Sequence, residues 1–245
     1  MCAGFDGPLC GSKGVVYPTL AMLLRACKRG PLIVGLRHRR LPVATDVLCR
    51  VCAVFNEGCV LTWRDEVMCA ACTLAFFTFM RCGEFTVRGG SSAESYLCID
   101  DVDFSSTGGH MNVFLRSFKA DPFKLGVSIS VYEHSTPVCP VRAMRRYLQI
   151  RNALVTQSTA LFLMPDFQPM TRQYFLRELA GVLTQAGIGG SAYSGHSFRI
   201  ETAGARGIHD HLIQTLGRWT SQAYIKYIHV APPVIQQAQL SLSHL

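Results

Sequence analysis

GHSFRIETAGARGIHDHLIQTLGRWTSQAYIKYIH, Gly195 to His229, is the stretch on which the reading of this chain turns. It crowds His196, Arg199, Arg218, Trp219, Tyr224 and Tyr227 into a short helical run near the C-terminus, a density of polar and aromatic side chains that burial alone does not explain. His196 and Arg199 stand three residues apart and project from the same face of a helix. Tyr227 lies on a separate amphipathic helix starting near Ser221, and a turn at Gly217 suffices to bring it back over that face.

Outward from this stretch, the nearest chemical complement is Arg81, placed where a long apolar run ends abruptly in Arg81, Gly83 and Glu84. A cation at the C-terminal end of a buried helix suits the helix dipole, which is the structural explanation. The functional one is that the buried helix holds Arg81 rigidly at a cleft. Two guanidinia and an imidazole make an anion site, each guanidinium fork meeting two non-bridging phosphate oxygens. A tyrosine hydroxyl beside them, with an ordinary pKa near about 10, is a nucleophile for a phosphodiester. The competing reading makes Tyr224 and Tyr227 packing residues.

Composition agrees with a globular protein that meets a polyanion. The chain has 245 residues, 49% hydrophobic and 10% aromatic, with a net charge of +8. That apolar fraction excludes a disordered chain, and the charge fits nucleic acid or an acidic membrane surface. No segment reaches the roughly 18 unbroken apolar residues of a spanning helix; nucleic acid, not membrane, is the expected partner. The N-terminus lacks the basic start and apolar stretch of a signal peptide, which implies an intracellular protein with its eleven cysteines reduced.

Thr19 to Arg29 has helical spacing, ended by Gly30-Pro31. A basic linker, RHRRLP, follows, and Pro42 opens a helix to about Phe55. Thr62 and Asp65 form a capping-box pattern ahead of a helix to Met80 that is apolar nearly all round, hence the central core helix. Period two then predicts strands at Tyr96 to Phe104, Met111 to Phe118 and Val127 to Tyr132, a small antiparallel sheet. Lys119 and Lys124 flank the turn between the second and third strands. Cys139-Pro140 starts a helix to about Leu154 with a basic side of Arg142, Arg145, Arg146 and Arg151. Thr171 caps a further helix, stopped at Gly187.

Cys49-x-x-Cys52 and Cys69-x-x-Cys72 match the spacing of a four-cysteine zinc ribbon. Ribbons present thiolates from tight turns, whereas both pairs here lie in apolar helical runs, where cysteine is an ordinary small hydrophobe. No metal is therefore assigned, and His209-x-His211 reads as surface decoration.

GHSFRI followed by LGRWTSQAYIKYIH resembles the two C-terminal boxes of the tyrosine recombinase (phage integrase) family, and FFTFMRCGEF resembles its first arginine box. SFKADPFKLGVSISV and CPVRAMRRYLQIR look like the hairpin lysine segment and following helix, in the version found in DIRS-like and Crypton-like mobile elements; RLPVATDVL resembles the start of the catalytic domain. The resemblance implies an α+β, mostly helical catalytic domain over 40–231, with 1–39 as a tail and remnant of a core-binding helical domain and 232–245 as a C-terminal tail. It implies DNA breakage and rejoining through a 3′-phosphotyrosyl link, without cofactor, on double-stranded DNA, and it allows a homotetramer. A eukaryotic host would place the protein in the nucleus.

Carried over by position, the resemblance implies that Arg81 and Arg199 hold the scissile phosphate, that Lys119 (or Lys124) protonates the leaving 5′ oxygen, and that His196 assists proton transfer. Trp219 closes the pocket, although a strict count from Gly217 puts Arg218 there; Tyr227 is the nucleophile, and Glu84 supports the arginine box. Glu201 stands where the family usually has Gly, and the interval from Arg199 to Gly217 is about one helical turn short. An inactive DNA-binding relic and a type IB topoisomerase are the alternative readings.

Overall fold

The computed structural model describes residues 41–57, 62–87, 96–106, 108–118, 121, 123–154, 156–195, 197–199, 215 and 217–218, without the side chains of Ser191 and Arg199. All of them belong to one compact unit, Arg40–Leu245. The expected helix at Thr19 to Arg29, the helix carrying Tyr227, His209, His211 and both tails lie outside the described residues.

The hub is helix α2, Trp63–Phe77, in which every residue from Glu66 to Phe76 is buried. Its start is the expected capping box: the Thr62 hydroxyl accepts from the Asp65 amide at 3.2 Å, and the Asp65 carboxylate accepts from the Thr62 amide at 3.2 Å. Because the helix is apolar on all sides, it must be enclosed. Helix α1, Thr45–Asn56, covers it with Val47, Leu48, Val51, Cys52 and Phe55, spaced along one stripe.

The end of α2 positions the site. The helix stops at Phe77 rather than Met80. Phe79 takes φ +53°, its amide reaches Phe76 O at 3.4 Å, and the Met80 amide reaches Ala75 O at 3.1 Å. This is the paired reverse bonding of a Schellman ending, with phenylalanine where glycine is usual. A β-carbon in the left-handed region costs about 1–2 kcal/mol, and burial of the Phe79 ring offsets it. The chain then makes one short helical turn, α3, Cys82–Phe85.

A three-stranded antiparallel sheet follows, in order β1 (Val102–Phe104), β2 (His110–Leu115), β3 (Val127–Tyr132), with Val102 opposite Val113 and Met111 opposite Val131. Met111, Val113 and Leu115 alternate into the core. The first strand is shorter than its period-two pattern predicts, because Ile99–Asp101 forms a 3-10 turn. The Asp101 carboxylate accepts from the Cys98 amide and from Arg116 Nε, both at 2.7 Å, and these local bonds displace the ladder.

Helix α4, Pro140–Asn152, has proline in its first turn and buries Val141, Ala143, Met144, Tyr147 and Leu148 against α2. Its basic side is occupied with holding the fold. Arg142 donates to His134 O and Thr136 O, Arg145 to Glu133 and Gly108 O, and Arg146 to Glu66. Arg151, itself buried, donates to Ser158 O and Ala160 O. Helix α5, Arg172–Gln185, is capped by the Thr171 hydroxyl, which accepts from the Tyr174 amide at 3.1 Å, and ends at Gly187 with φ +70°. Among the described residues, no helix is long and apolar enough to cross a membrane.

Candidate anion-binding site

Arg81 is the residue that enters α3, and Glu84 is the third residue of that turn. This spacing lets the Glu84 carboxylate fold back on Arg81: Oε2 accepts from the Arg81 amide at 2.9 Å, and Oε1 accepts from Arg81 Nη1 at 2.9 Å. Glu84 therefore fixes the arginine. The Arg81 side chain keeps 22% of its surface exposed against 7% for Glu84, so the guanidinium is anchored on one edge and reachable on the other.

The second cation comes from the far end of the chain. Arg218 Nη2 donates to Glu84 Oε2 at 3.1 Å, and Nη1 donates to Thr78 O at 2.9 Å, on the turn that ends α2. Only 6% of the Arg218 side chain is exposed, and its buried Nε finds no hydrogen-bond partner among the described residues. Its guanidinium also lies over the Phe118 ring, 5.8 Å from the centroid. Burial lowers the Arg218 pKa; Glu84 pushes it back up, and Arg81 pushes it down again. Arg218 itself has φ +53°, a conformation held by these contacts rather than by intrinsic preference. With one carboxylate between two guanidinia, the cluster keeps one positive charge to offer an anion.

The box beginning at Gly195 reaches the same place by its backbone. The Cys82 amide donates to Gly195 O at 3.4 Å, and the Val43 amide donates to Ser197 O at 2.9 Å. A β-carbon at position 195 would lie 2.7 Å from Cys82 Cβ, which explains why the residue there is glycine. Ser197–Arg199 forms a 3-10 turn whose Phe198 ring is buried 6.0 Å from that of Phe175. The Arg199 backbone is thus carried on the same surface, while its side chain lies outside the described set.

Of the residues proposed from sequence, the structure describes Arg81 in full and joins it to Glu84 and Arg218. Lys119, His196, Trp219 and Tyr227 lie outside the described residues, as does Glu201. Lys124 is exposed on the turn between β2 and β3. Arg218 was signalled only by the count from Gly217, whereas the indole beside it drew the stronger assignment.

The cysteine pairs sit as their context predicted, Cys49 and Cys52 in α1 and Cys69 and Cys72 in α2. Hydrogen bonding to Cys69 and then burial push the Cys52 thiol far up; burial does the same to Cys72. Cys69 is lowered by that hydrogen bond, against its own burial. Among the described residues, no three His, Cys, Asp or Glu side chains gather where they could hold a metal ion.

No protein-family model matches the chain, and no curated protein matches it by sequence. Solved structures match by shape. XerA recombinase is 18% identical with a TM-score of 0.58, over 95% of this chain and 78% of that one. XerH site-specific recombinase, bound to its palindromic difH substrate, is 15% identical with a TM-score of 0.60, over 82% of this chain and 52% of that one. A lambda integrase dimer bound to a COC' core site is 14% identical with a TM-score of 0.53, over 85% of this chain and 56% of that one. The chain thus spans little more than half the length of the latter two. What it shares with all three is architecture: this is the tyrosine recombinase catalytic-domain fold, mostly helical with a small antiparallel sheet.

Proposed function

We propose that this chain breaks and rejoins strands of duplex DNA through a tyrosine–phosphate intermediate, as a recombinase or integrase of a mobile element resembling the DIRS and Crypton types. The observation that carries the reading is the convergence of Arg81 and Arg218 on Glu84, with the Gly195 box hydrogen-bonded to the turn that bears Arg81. A preorganised pair of guanidinia with one uncompensated charge suits the developing negative charge of a pentacoordinate phosphate, and such donors are commonly the largest catalytic contribution. That XerH and lambda integrase were solved on DNA sites adds support.

In this scheme Arg81 and Arg199 grip the non-bridging oxygens, Trp219 closes the pocket, and Arg218 braces the arginine turn through Glu84. The Tyr227 hydroxyl oxygen attacks phosphorus as its proton passes to His196, and the bond to the 5′ oxygen breaks. Lys119, or Lys124 from the same turn, delivers a proton to that oxygen, and His196 assists the transfer. The bond energy stays in the phosphotyrosine, so rejoining runs the same steps backwards without ATP or metal. Protomers act as a tetramer on paired sites.

Incubation with nicked suicide duplexes tests this. A covalent protein–DNA adduct is expected, abolished in Tyr227→Phe and reduced by roughly 10²–10³-fold or more in Arg81→Ala. DNA binding without any adduct would instead establish an inactive relic. Relaxation of supercoils without site preference would establish a topoisomerase.

A further inference from the structure

We propose that the turn between β2 and β3 is an apolar wedge that enters duplex DNA beside the arginine cluster, Phe123 and Leu125 prising apart a base step. The proposal rests on the DNA-acting reading above. Phe123 is 81% exposed and Leu125 78%, more than any other large hydrophobic among the described residues, and Phe114 beside them is 43% exposed. Single exposed apolar residues are unremarked on protein surfaces, but here two are held out on either side of one lysine.

The turn is built to hold them out. Asp121 Oδ1 accepts from the Leu125 amide at 3.1 Å and Oδ2 from the Gly126 amide at 2.8 Å, while the Asp121 amide donates to Phe118 O at 3.0 Å. Lys124 takes φ +52° and Gly126 φ +71°. A β-carbon at 126 would lie 2.6 Å from Phe114 Cζ, so that ring is pressed directly beneath the turn as a buttress. A connection needed only to join two strands is made as well by polar residues and without a left-handed lysine.

Three observations choose DNA as the occupant. Two side chains expose a few hundred Å² at most, well short of the roughly 800 Å² per partner of a stable protein interface. An apolar wedge between base steps, in contrast, needs only one or two such side chains. The chain carries a net charge of +8, Lys124 stands between the two apolar residues, and the Asp121 carboxylate is engaged with backbone amides. Finally, the root of the turn is continuous with the anion site, because the Phe118 ring lies under the Arg218 guanidinium.

The test uses the full chain carrying Tyr227→Phe, so that no strand is opened, with and without Phe123→Ser/Leu125→Ser. Binding of a mixed-sequence duplex is followed by anisotropy across a salt series, and unwinding by the linking number of a nicked plasmid sealed in the protein's presence. The parent is expected to lower the linking number. The serine variant is expected to keep the salt slope, lose most of the unwinding and bind about tenfold more weakly. Phe123→Trp/Leu125→Met, which keeps the apolar bulk, is expected to unwind like the parent. Equal unwinding by the serine variant overturns the wedge. So does a variant whose only change is loss of self-association by light scattering, which would make the turn a contact between copies. A parent that binds no duplex at all overturns the DNA reading itself, and the wedge with it.

Discussion

Arg218 and Glu84 meet at 3.1 Å with 6% and 7% of their side chains exposed, the most enclosed ion pair among the described residues. Removing one member of a buried pair strands the other's charge at a cost of about 3–5 kcal/mol. Glu84→Ala is therefore expected to lower unfolding stability by that amount in urea denaturation, since it strands Arg218 and frees Arg81 at once. Arg218→Met, which removes the charge and keeps the bulk, is expected to cost clearly less, because Glu84 retains Arg81. Equal losses in the two variants would show that packing, not charge, holds the cluster.

Gly195→Ala separates assembly of the site from stability. The new methyl would sit 2.7 Å from Cys82 Cβ and must push the box away from the turn that bears Arg81. A misplacement of about 1 Å at reacting groups can cost about 10²-fold in rate, so adduct formation is expected to fall at least about tenfold with duplex affinity nearly unchanged. Cys82→Gly in the same chain should restore part of the rate.

His134 gives the fold a pH dependence of definite sign. Its Nδ1 lies 2.7 Å from the Thr136 hydroxyl, its buried Nε2 has no partner among the described residues, and its ring stands 5.0 Å from that of Phe77. Burial, then Arg142, lowers its pKa below the ordinary 6.5, with Glu133 opposing. The unfolded chain thus takes up the proton first. The contribution is complete above about pH 6.5 and is lost as pH falls from there towards the folded-state pKa. Chemical denaturation between neutral and mildly acidic pH should show stability declining, with a shallower slope in His134→Phe.

Tyr147 braces α4 against the segment before α5. Its hydroxyl donates to Leu161 O at 2.8 Å and accepts from the Leu163 amide at 3.1 Å, within a ring cluster of Trp63 and Phe162. Tyr147→Phe keeps the ring but leaves two buried backbone groups unpaired, an expected loss of about 2–4 kcal/mol by thermal or chemical unfolding. A loss below about 1 kcal/mol would mean that water or a backbone shift replaces both bonds.

What could be read from the sequence was what is decided locally. The Thr62–Asp65 box, the Thr171 cap and the stop at Gly187 each depend on residues within a turn, and each appears in the structure. The reach of Glu84 to Arg81 is likewise a matter of three residues. Features set by distant partners could not be read. Asp101 gives up the ladder for Arg116, and the arginines of α4 are tied to carbonyls and carboxylates, with only Arg151 buried. Phe79 adopts the left-handed region because burial and Arg218 complete its surroundings. Arg218 is legible only in the count from Gly217, because the carboxylate that places it lies 134 residues earlier in the chain.

That separation has a bearing on how the cluster acquires its charge. The carbonyls of Thr78 and Phe79, at the end of the core helix, accept from a side chain 140 and 139 residues later in the chain. Closing so long a loop is entropically late, after local helices and the hairpin have formed. Without that contact, Arg81 and Glu84 form a neutral pair. Docking of Arg218 sets a second guanidinium against the one carboxylate, so the positive charge of the cluster depends on a long-range contact and not on the arginine turn alone.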